Sequence, residues 1–303
     1  MAAAPVDLTW AFYVNVVVVY TIQVGPVLAF GRWAQRAAPC LHHRPAARFL
    51  CLIPAHNEER VIANSVSSLL RQAYPRELFD VWVVSDGSTD ATDEIARRHG
   101  ARILRTGTEA TGKANALARA LNELLDDGEH SRYVCVIDAD NLVAPNFLRE
   151  MNNAICERGY RCLQGFHDVL NGPANWITKS LWLNSIASSV LYNPGRFRSL
   201  GTALICGTGW CCEADLLRRY WPRIRTQTED IELTGLLLLY EGIGVAWVDA
   251  AHIYDEKPLT LWTASIGRVP QPAAQIASAL THATPLCALS KVTDTRFHKR
   301  WLR

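Results

Sequence analysis

The sequence predicts an α/β domain preceded by one membrane-spanning helix. Short, continuous apolar runs alternate with segments in which apolar residues recur every three or four positions, a pattern typical of a sheet layered with helices. A stretch without formal charge, residues 8–30, is close to the ~20 residues that a helix needs to cross a bilayer. We therefore divide the chain into an anchor (1–32), a linker (33–48), an α/β domain (49–260) and a C-terminal extension (261–303) whose structure the sequence leaves open.

The composition excludes two classes of protein. The 303 residues are 49% hydrophobic and 20% charged, with a net charge of +2. This apolar content excludes a disordered chain. So small a net charge excludes a nucleic-acid binder that works by broad phosphate neutralisation, and we expect no nucleic-acid partner. The nine cysteines form no C-x-x-C pair, which favours reduced thiols in the cytosol over a zinc ribbon or a disulfide framework.

The 8–30 stretch has two interpretations. Its length favours a membrane span, whereas Asn15, Gln23 and Pro26 would suit a buried core helix better. Several arginines follow the stretch and only Asp7 precedes it, so the positive-inside rule places the rest of the chain in the cytoplasm. We expect a single-pass protein of the plasma membrane with a cytoplasmic catalytic domain.

Four strands are predicted in the first half of the domain, over residues 49–55, 81–86, 101–105 and 133–138. Apolar residues recur at helical spacing between them, from Val61 to Leu70 and from Ala116 to Leu124. Continuous apolar strands are buried on both faces, and in open α/β sheets ligands bind beyond the carboxyl ends of such strands. The site is therefore expected at these ends.

Acidic clusters follow three of the predicted strands. The first strand ends near Glu58, the second at Asp86, and the fourth at Asp138 and Asp140. The serine and threonine after Asp86 could equally cap the next helix, near Ala91. Asp138 and Asp140 are harder to explain structurally, because two carboxylates at this spacing repel each other unless a cation or donors lie between them. We expect Mg²⁺ or Mn²⁺, which such carboxylates hold together with phosphate oxygens.

Polar residues also lie at the start of two predicted helices. Lys113 follows Gly112, where backbone N–H groups and an ammonium group could both face a phosphate, although a solvated lysine fits equally well. The spacing of a Walker loop is absent. Glu229 and Asp230 open a later helix, where acidic residues are also common partners of the helix dipole.

Five motifs in order resemble those of the inverting family 2 glycosyltransferases: P-A-H-N-E, D-G-S-T-D, G-K-A-N-A-L, D-A-D and T-E-D, over residues 49 to about 260. The similarity is greatest to the membrane-bound branch with cellulose, hyaluronan and poly-N-acetylglucosamine synthases. The resemblance implies a GT-A fold, Rossmann-like, with a mixed, mostly parallel sheet. It also implies a hexosyltransferase that takes a sugar from a nucleotide-diphosphate donor, with UDP the expected nucleotide.

The resemblance further implies a role for each matching residue. Ala55, Glu58 and Asp86 would hold the uridine, Lys113 and Asp138 the diphosphate, and Asp140 with Asp138 the metal. Asp230 would be the general base that deprotonates the acceptor hydroxyl. Gly207, Thr208, Trp210 and Glu229 would line the acceptor site, with Trp210 either stacked on a sugar ring or part of the core. Gln164 and Gly165 match a stretch near the donor sugar.

The sequence departs from these synthases after the T-E-D motif. A Q-x-x-R-W motif is expected near residues 265–272, but that segment lacks it and contains two prolines that oppose a continuous helix. No second apolar stretch of spanning length follows. Three hypotheses remain: a membrane-anchored transferase acting on a saccharide or lipid, a truncated or altered polysaccharide synthase with weak or no activity, and a non-catalytic nucleotide-sugar-binding subunit of a membrane complex. The intact carboxylates favour the first.

Overall fold

A computed structural model describes residues 42–125, 132–172, 174–226, 228–257 and 259–260, and within them a sheet is layered between helices. The strands are β1 (Arg48–Ala55), β2 (Phe79–Asp86), β3 (Arg102–Gly107), β4 (Arg132–Val136), β5 (Leu142–Val143), β6 (Cys162–Val169), β7 (Trp210–Glu213) and β8 (Ala246–Asp255). The α-helices are α1 (Ile62–Leu70), α2 (Thr92–Arg98), α3 (Lys113–Leu124), α4 (Phe147–Arg158), α5 (Trp176–Ala187), α6 (Asn193–Leu200), α7 (Ala214–Tyr220) and α8 (Glu229–Leu236). Short π-helical turns follow α5 and α8.

The strands form one mixed sheet in the order β3-β2-β1-β4-β7-β6-β8-β5. The neighbours β3, β2, β1 and β4 are all parallel. Strand β7 is antiparallel to both β4 and β6, while β8 is parallel to β6 and antiparallel to β5. Four of the seven pairings among the described strands are thus parallel, in agreement with the mixed, mostly parallel sheet that the sequence predicts.

The first four strands are confirmed to within two residues at each end. They are continuously apolar because both faces of the sheet are covered. In β1, Phe49, Cys51 and Ile53 belong to one core cluster, and Leu50 and Leu52 to the other. Alternate residues of a strand point to opposite faces, so a strand between two cores needs apolar side chains throughout.

The two predicted helices pack on opposite faces of the sheet. Val66 and Leu69 of α1 are fully buried in the cluster that contains Phe49. Leu117 and Leu121 of α3 are buried in the cluster that contains Leu50. Their apolar residues recur at helical spacing because each helix turns one side to the sheet and the other to solvent.

Three predicted segments fall wholly or partly outside the described residues. The predicted span over residues 8–30 and the extension from residue 261 lie outside them, as does the linker up to residue 41. Across the ranges that the structure describes, no helix combines the length and the apolar character needed to cross a membrane.

Candidate active site

A cleft of about 390 Å³ opens at the carboxyl ends of β1, β2 and β4. Because these neighbouring strands are parallel, the loops that follow them meet at one edge of the sheet. All six residues that the resemblance assigns to the donor and the metal line this cleft: Ala55, Glu58, Asp86, Lys113, Asp138 and Asp140. The structure therefore brings these six residues together in one cleft, and their roles remain a prediction.

The loops after β1 and β2 are joined through Asn57, which has a positive φ of 56°. Its side-chain oxygen accepts a hydrogen bond from the Thr89 N–H (2.9 Å). The N–H of Glu58 donates to Thr92 Oγ1 (2.8 Å), so the two loops form one wall of the cleft. Neither Ser88 nor Thr89 caps the next helix, which starts at Thr92; the Asp90 carboxylate accepts from the Thr92 N–H instead (3.0 Å).

Asp86 is held by four hydrogen bonds. Its Oδ2 accepts from the backbone N–H groups of Thr111 (2.8 Å) and Gly112 (2.7 Å), and its Oδ1 from the hydroxyls of Thr106 (2.8 Å) and Thr111 (2.9 Å). Burial acts to raise the pKa of Asp86, but these hydrogen bonds outweigh it and hold the pKa below its usual value. A carboxylate offers about four acceptor positions, so contact with a nucleotide would replace one of these bonds.

Gly87 lets the loop before α3 approach the end of β2. A Cβ atom at Gly87 would lie 2.6 Å from the backbone carbon of Glu109, and the φ of Gly87 is +66°. Both features require glycine at this position. The close approach places Thr111 and Gly112 where Asp86 can accept from them.

Lys113, the first residue of α3, reaches across the cleft. Its Nζ donates to Asp138 Oδ1 (2.5 Å) and to the carbonyl oxygen of Gly207 (2.7 Å), and lies 3.9 Å from Glu229 Oε1. Desolvation acts to lower the pKa of Lys113, but the charges of Asp138 and Glu229 outweigh it and raise the pKa. The side chain is therefore a fixed, fully protonated cation inside the cleft.

Asp140 differs from Asp138 in its surroundings. Asp138 pairs with Lys113, whereas none of the described side chains donates a hydrogen bond to the exposed Asp140 carboxylate. Desolvation in the cleft, followed by the charges of Asp138 and Asp255, raises the pKa of Asp140 to about 6. This uncompensated negative charge and its hard oxygen donors fit Mg²⁺ or Mn²⁺. Among the described residues no group of three or more His, Cys, Asp or Glu side chains could hold a metal, so a ligand's oxygens would have to complete the coordination.

A turn at residues 206–209, which we call the 206–209 turn, contacts two residues that line the cleft, Lys113 and Asp138. The Gly207 carbonyl oxygen accepts from Lys113, and Thr208 Oγ1 accepts from the Asp138 N–H (2.9 Å). Gly209 has a φ of +64°, and a Cβ atom there would lie 1.8 Å from Ile253 Cδ1, so only glycine fits. Gly207 and Thr208, predicted at the acceptor site, thus also hold Lys113 and Asp138 in place.

Asp230 and Glu229 approach this turn from the start of α8. A Cβ atom at Gly207 would lie 3.9 Å from Asp230 Oδ2, while Oδ1 accepts from the Ile231 N–H (2.8 Å). Desolvation raises the pKa of Asp230 above its usual value, against the opposing effects of the Ile231 N–H and Lys113. Burial likewise raises the pKa of Glu229. Neither carboxylate lines the 390 Å³ cleft itself: Glu229 lies next to Lys113 of the cleft, and Asp230 next to Gly207.

Trp210 lies in the core and does not present a ring to the cleft. Its side chain is 1% exposed and stacks on Trp221 with 6.1 Å between ring centroids. Its indole N–H points to the Gly207 carbonyl oxygen at 3.3 Å. The sequence left open whether Trp210 stacks on a sugar ring or belongs to the core, and the structure favours the core. Stacking on a sugar is excluded in this structure because both faces of the ring are covered.

Two threonines of the site were missed by the sequence analysis. Thr106 and Thr111 supply both hydroxyl donors to Asp86. Thr111 carried a usable signal, since it directly precedes Gly112 and Lys113 at a predicted phosphate-binding helix start. Thr106 at the end of β3 carried none, because a threonine in a strand is ordinary.

The chain is similar to known proteins in both sequence and structure. Residues 51–221 match the family Glycosyl transferase family 2. A beta-monoglucosyldiacylglycerol synthase from Nostoc sp. is 33% identical over 191 residues, covering 60% of this chain and 39% of that protein. The mannosyltransferase PcManGT from Pyrobaculum calidifontis, in complex with GDP-Man and Mn²⁺, has a TM-score of 0.61 at 20% identity, covering 88% of this chain and 74% of its own. S. aureus TarS 1-349, in complex with UDP-GlcNAc, has a TM-score of 0.52 at 21% identity, covering 72% and 61%.

These similarities carry different weight. The two solved structures share the fold, which is GT-A-like, and at this level of identity they show no more than the fold. The chain spans between 39% and 54% of the length of the curated relatives it matches first. The family match, in contrast, extends from β1 to the turn after α7, which is more than half of the chain. The chain belongs to glycosyl transferase family 2.

Proposed function

We propose that this protein is a metal-dependent, inverting glycosyltransferase that moves a hexose from a nucleotide-diphosphate sugar to a hydroxyl group of a saccharide or lipid. One observation carries the proposal: six donor-side residues line a single cleft, and Asp230 faces the 206–209 turn, which contacts Lys113 and Asp138 of that cleft. The cleft volume of about 390 Å³ suits a small-molecule site. Membership of family 2 supports the reaction class.

The donor is assigned to the half of the cleft built by β1, β2 and α3. Ala55, Glu58 and Asp86 would contact the nucleoside, and Lys113 the diphosphate. The TarS complex with UDP-GlcNAc supports a uridine donor, and the PcManGT complex with GDP-Man makes a guanosine donor the alternative to be tested.

Asp140 would hold Mg²⁺ or Mn²⁺, with Asp138 as the second carboxylate. When bound, the cation would neutralise charge on the departing diphosphate. The Mn²⁺ of the PcManGT complex supports this assignment. Asp138 already pairs with Lys113, so the Lys113 ammonium group would also lie beside the charge of the departing diphosphate.

Asp230 would act as the general base. Its raised pKa brings it nearer to neutral pH, where a base is most effective. The acceptor oxygen would bond to the anomeric carbon as the bond from that carbon to the diphosphate oxygen breaks. The hydroxyl proton passes to Asp230, and the nucleoside diphosphate leaves toward Lys113. Lys113 and Asp230 both lie next to Gly207, so the proposed base and the cation that would receive the leaving group are close enough to act on one sugar. Attack by the acceptor opposite the leaving group would invert the anomeric carbon.

The acceptor is assigned to a membrane surface. The uncharged stretch over residues 8–30 supports a membrane anchor with the catalytic domain on the cytoplasmic side. The Nostoc relative is named for making a monoglucosyl lipid, which supports the addition of one sugar to a lipid. The absence of Q-x-x-R-W from residues 265–272 favours a second candidate, a non-catalytic nucleotide-sugar-binding subunit.

The deciding experiment incubates membranes containing the full chain with radiolabelled UDP- and GDP-sugars and Mn²⁺, then sizes the products. We expect a lipid that carries a single sugar, formed from a UDP-sugar and abolished by EDTA. Asp230→Asn membranes should form none, while Asp249→Asn membranes, altered outside the cleft, should match the wild type. A labelled polymer would identify a polysaccharide synthase, and donor binding without turnover would identify the non-catalytic subunit.

A further inference from the structure

Gln164 in β6 is a buried amide that no step of the proposed transfer uses. It is fully buried, with 0% of its surface exposed. Its Nε2 donates to the carbonyl oxygens of Thr208 (3.0 Å) and Gly209 (3.2 Å), and its Oε1 accepts from the Cys206 N–H (2.9 Å). Both ends of the amide therefore hold the 206–209 turn, one on each side of Gly207.

The 206–209 turn needs such a clamp because of its own sequence. Gly207 and Gly209 both have positive φ values, +76° and +64°. Glycine has no side chain that restricts its backbone dihedral angles, so hydrogen bonds to the surroundings have to fix the turn. The Gly209 N–H donates to the carbonyl oxygen of Val136 (2.8 Å), and the Gly209 carbonyl oxygen also accepts from the Gly165 N–H (2.9 Å). Gln164 adds bonds at both ends of the turn, at Cys206 and at Thr208 and Gly209.

Three groups of the proposed mechanism lie against this turn. Gly207 supplies the carbonyl oxygen that holds Lys113, and Thr208 supplies the hydroxyl oxygen that holds the backbone of Asp138. The Asp230 carboxylate faces Gly207. A shift of the turn would therefore move the diphosphate side and the base side of the cleft relative to each other.

We propose that Gln164 is a positioning residue for sugar transfer, acting through the 206–209 turn on Lys113, Asp138 and Asp230. This inference rests on the proposed function of the cleft. Gln164 touches neither donor nor acceptor; it sets the distance across which in-line attack takes place. Small errors in that distance lower the rate of transfer more than they weaken ground-state binding of the donor.

The chain contains a matched control. Gln72 is a second buried glutamine, 7% exposed, whose Nε2 donates to the carbonyl oxygens of Ala144 (2.8 Å) and Ser68 (3.2 Å) and whose Oε1 accepts from the Leu148 N–H (2.9 Å). Gln72 thus makes the same kinds of hydrogen bond that Gln164 makes to the 206–209 turn, but its partners lie in α1, in α4 and in the loop before α4. Gln164 makes two further contacts, with the Gly165 carbonyl oxygen (3.2 Å) and His167 Nε2 (3.0 Å). Substitutions at both positions therefore remove buried amide hydrogen bonds, but only those at Gln164 release the 206–209 turn.

The experiment compares Gln164→Met and Gln164→Glu with Gln72→Met and Gln72→Glu in the full chain. Methionine keeps the side-chain volume and removes the hydrogen bonds. Glutamate replaces the amide NH₂ with a carboxylate oxygen, which cannot donate to the two carbonyl oxygens and repels them. We measure kcat for transfer, the Kd for UDP in the presence of Mn²⁺, Tm, and amide hydrogen exchange in a peptide that covers the 206–209 turn. Methionine keeps the proposal testable if the buried glutamate prevents folding.

We expect kcat to fall by about 10- to 100-fold in the Gln164 variants with little change in the Kd for UDP. Exchange in the 206–209 turn should be faster in Gln164→Met and unchanged in Gln72→Met, although both variants lose Tm. Equal kcat losses at the two positions, or unchanged exchange in Gln164→Met, would overturn the proposal. A wild type that binds UDP and Mn²⁺ but transfers no sugar would refute the proposed function instead, and the exchange result would then decide whether Gln164 holds the turn.

Discussion

Substitution of Asp86 tests how the cleft is built. Its carboxylate joins the end of β2 to the loop before α3 through four hydrogen bonds, two of them from the backbone N–H groups of Thr111 and Gly112. In Asp86→Ala all four bonds are lost. In Asp86→Asn the amide oxygen can still accept from both N–H groups, and the amide N–H₂ can donate to the two threonine hydroxyls, which rotate to accept.

The cost of each substitution follows from these bonds. Hydrogen bonds to charged groups contribute about 1.5–3 kcal/mol each when buried, but Thr111 and Gly112 are exposed, and water can replace part of the lost acceptor. We therefore expect Asp86→Ala to lower the free energy of unfolding by about 2–4 kcal/mol. Asp86→Asn loses only the assistance of the charge, about 1–2 kcal/mol. For a domain of this size the alanine variant corresponds to a fall in Tm of roughly 5–15 °C.

Urea unfolding followed by circular dichroism measures both values. Asp168→Ala is a suitable control, because that half-buried carboxylate accepts a hydrogen bond from the N–H of its neighbour Val169 (2.8 Å). Removal of the Asp168 carboxylate should cost less than about 1 kcal/mol. An alanine variant of Asp86 that matches this control would refute the reasoning. So would an asparagine variant as unstable as the alanine variant, since the amide would then have failed to keep the bonds.

Further predictions concern charge and packing. The free energy of unfolding of wild type should exceed that of Asp86→Asn by less below about pH 4 than at neutral pH. A carboxylate with a lowered pKa stabilises the fold above its unfolded pKa and loses this effect as the pH falls through its folded pKa. Acid titrations of both proteins measure the difference in stability, and a difference that does not change with pH would contradict the prediction. UDP binding by Asp140→Asn should no longer depend on Mn²⁺, which calorimetry with and without the metal measures. UDP binding by the wild type that EDTA does not change would refute the metal assignment. Asp230→Asn should lower kcat by at least about 100-fold with UDP affinity retained, and the acid limb of the wild-type pH–rate profile should lie above the ordinary aspartate pKa. Trp210→Leu should destabilise the protein by about 2 kcal/mol or more without a selective rise in the acceptor KM, which kinetics at a temperature well below Tm would reveal.

That the proposed donor residues line one cleft could be predicted, because they directly follow strands that the sequence identifies. Strands β1, β2 and β4 are buried on both faces, so their apolar runs are unmistakable, and the polar residues that end them must meet at one sheet edge. Asp86, Asp138 and Asp140 follow directly from this rule. Lys113 follows from the glycine at the start of its helix.

The acceptor half was less predictable for physical reasons. Strand β7 has only four residues and β5 only two, too few for a period to show. Trp210 could not be assigned from sequence, since a core and a sugar-stacking surface both favour an aromatic ring. The bonds of Gln164 depend on backbone groups more than 40 positions away along the chain, and no local pattern predicts such contacts.

The pairing of β4 with β7 has a consequence for how this site can diverge. The donor-side carboxylates lie before residue 141, and the 206–209 turn and Asp230 lie after residue 205, so the two halves are encoded by separate, contiguous stretches of sequence. They meet where four residue pairs, from Tyr133 opposite Glu213 to Val136 opposite Trp210, align two antiparallel strands. Under the proposed assignment, a chimera with its joints in the loops before β6 and after β8 would replace the proposed acceptor side and keep the proposed donor side. Such an exchange would have to keep the register of β4 with β7 and of β5 with β8.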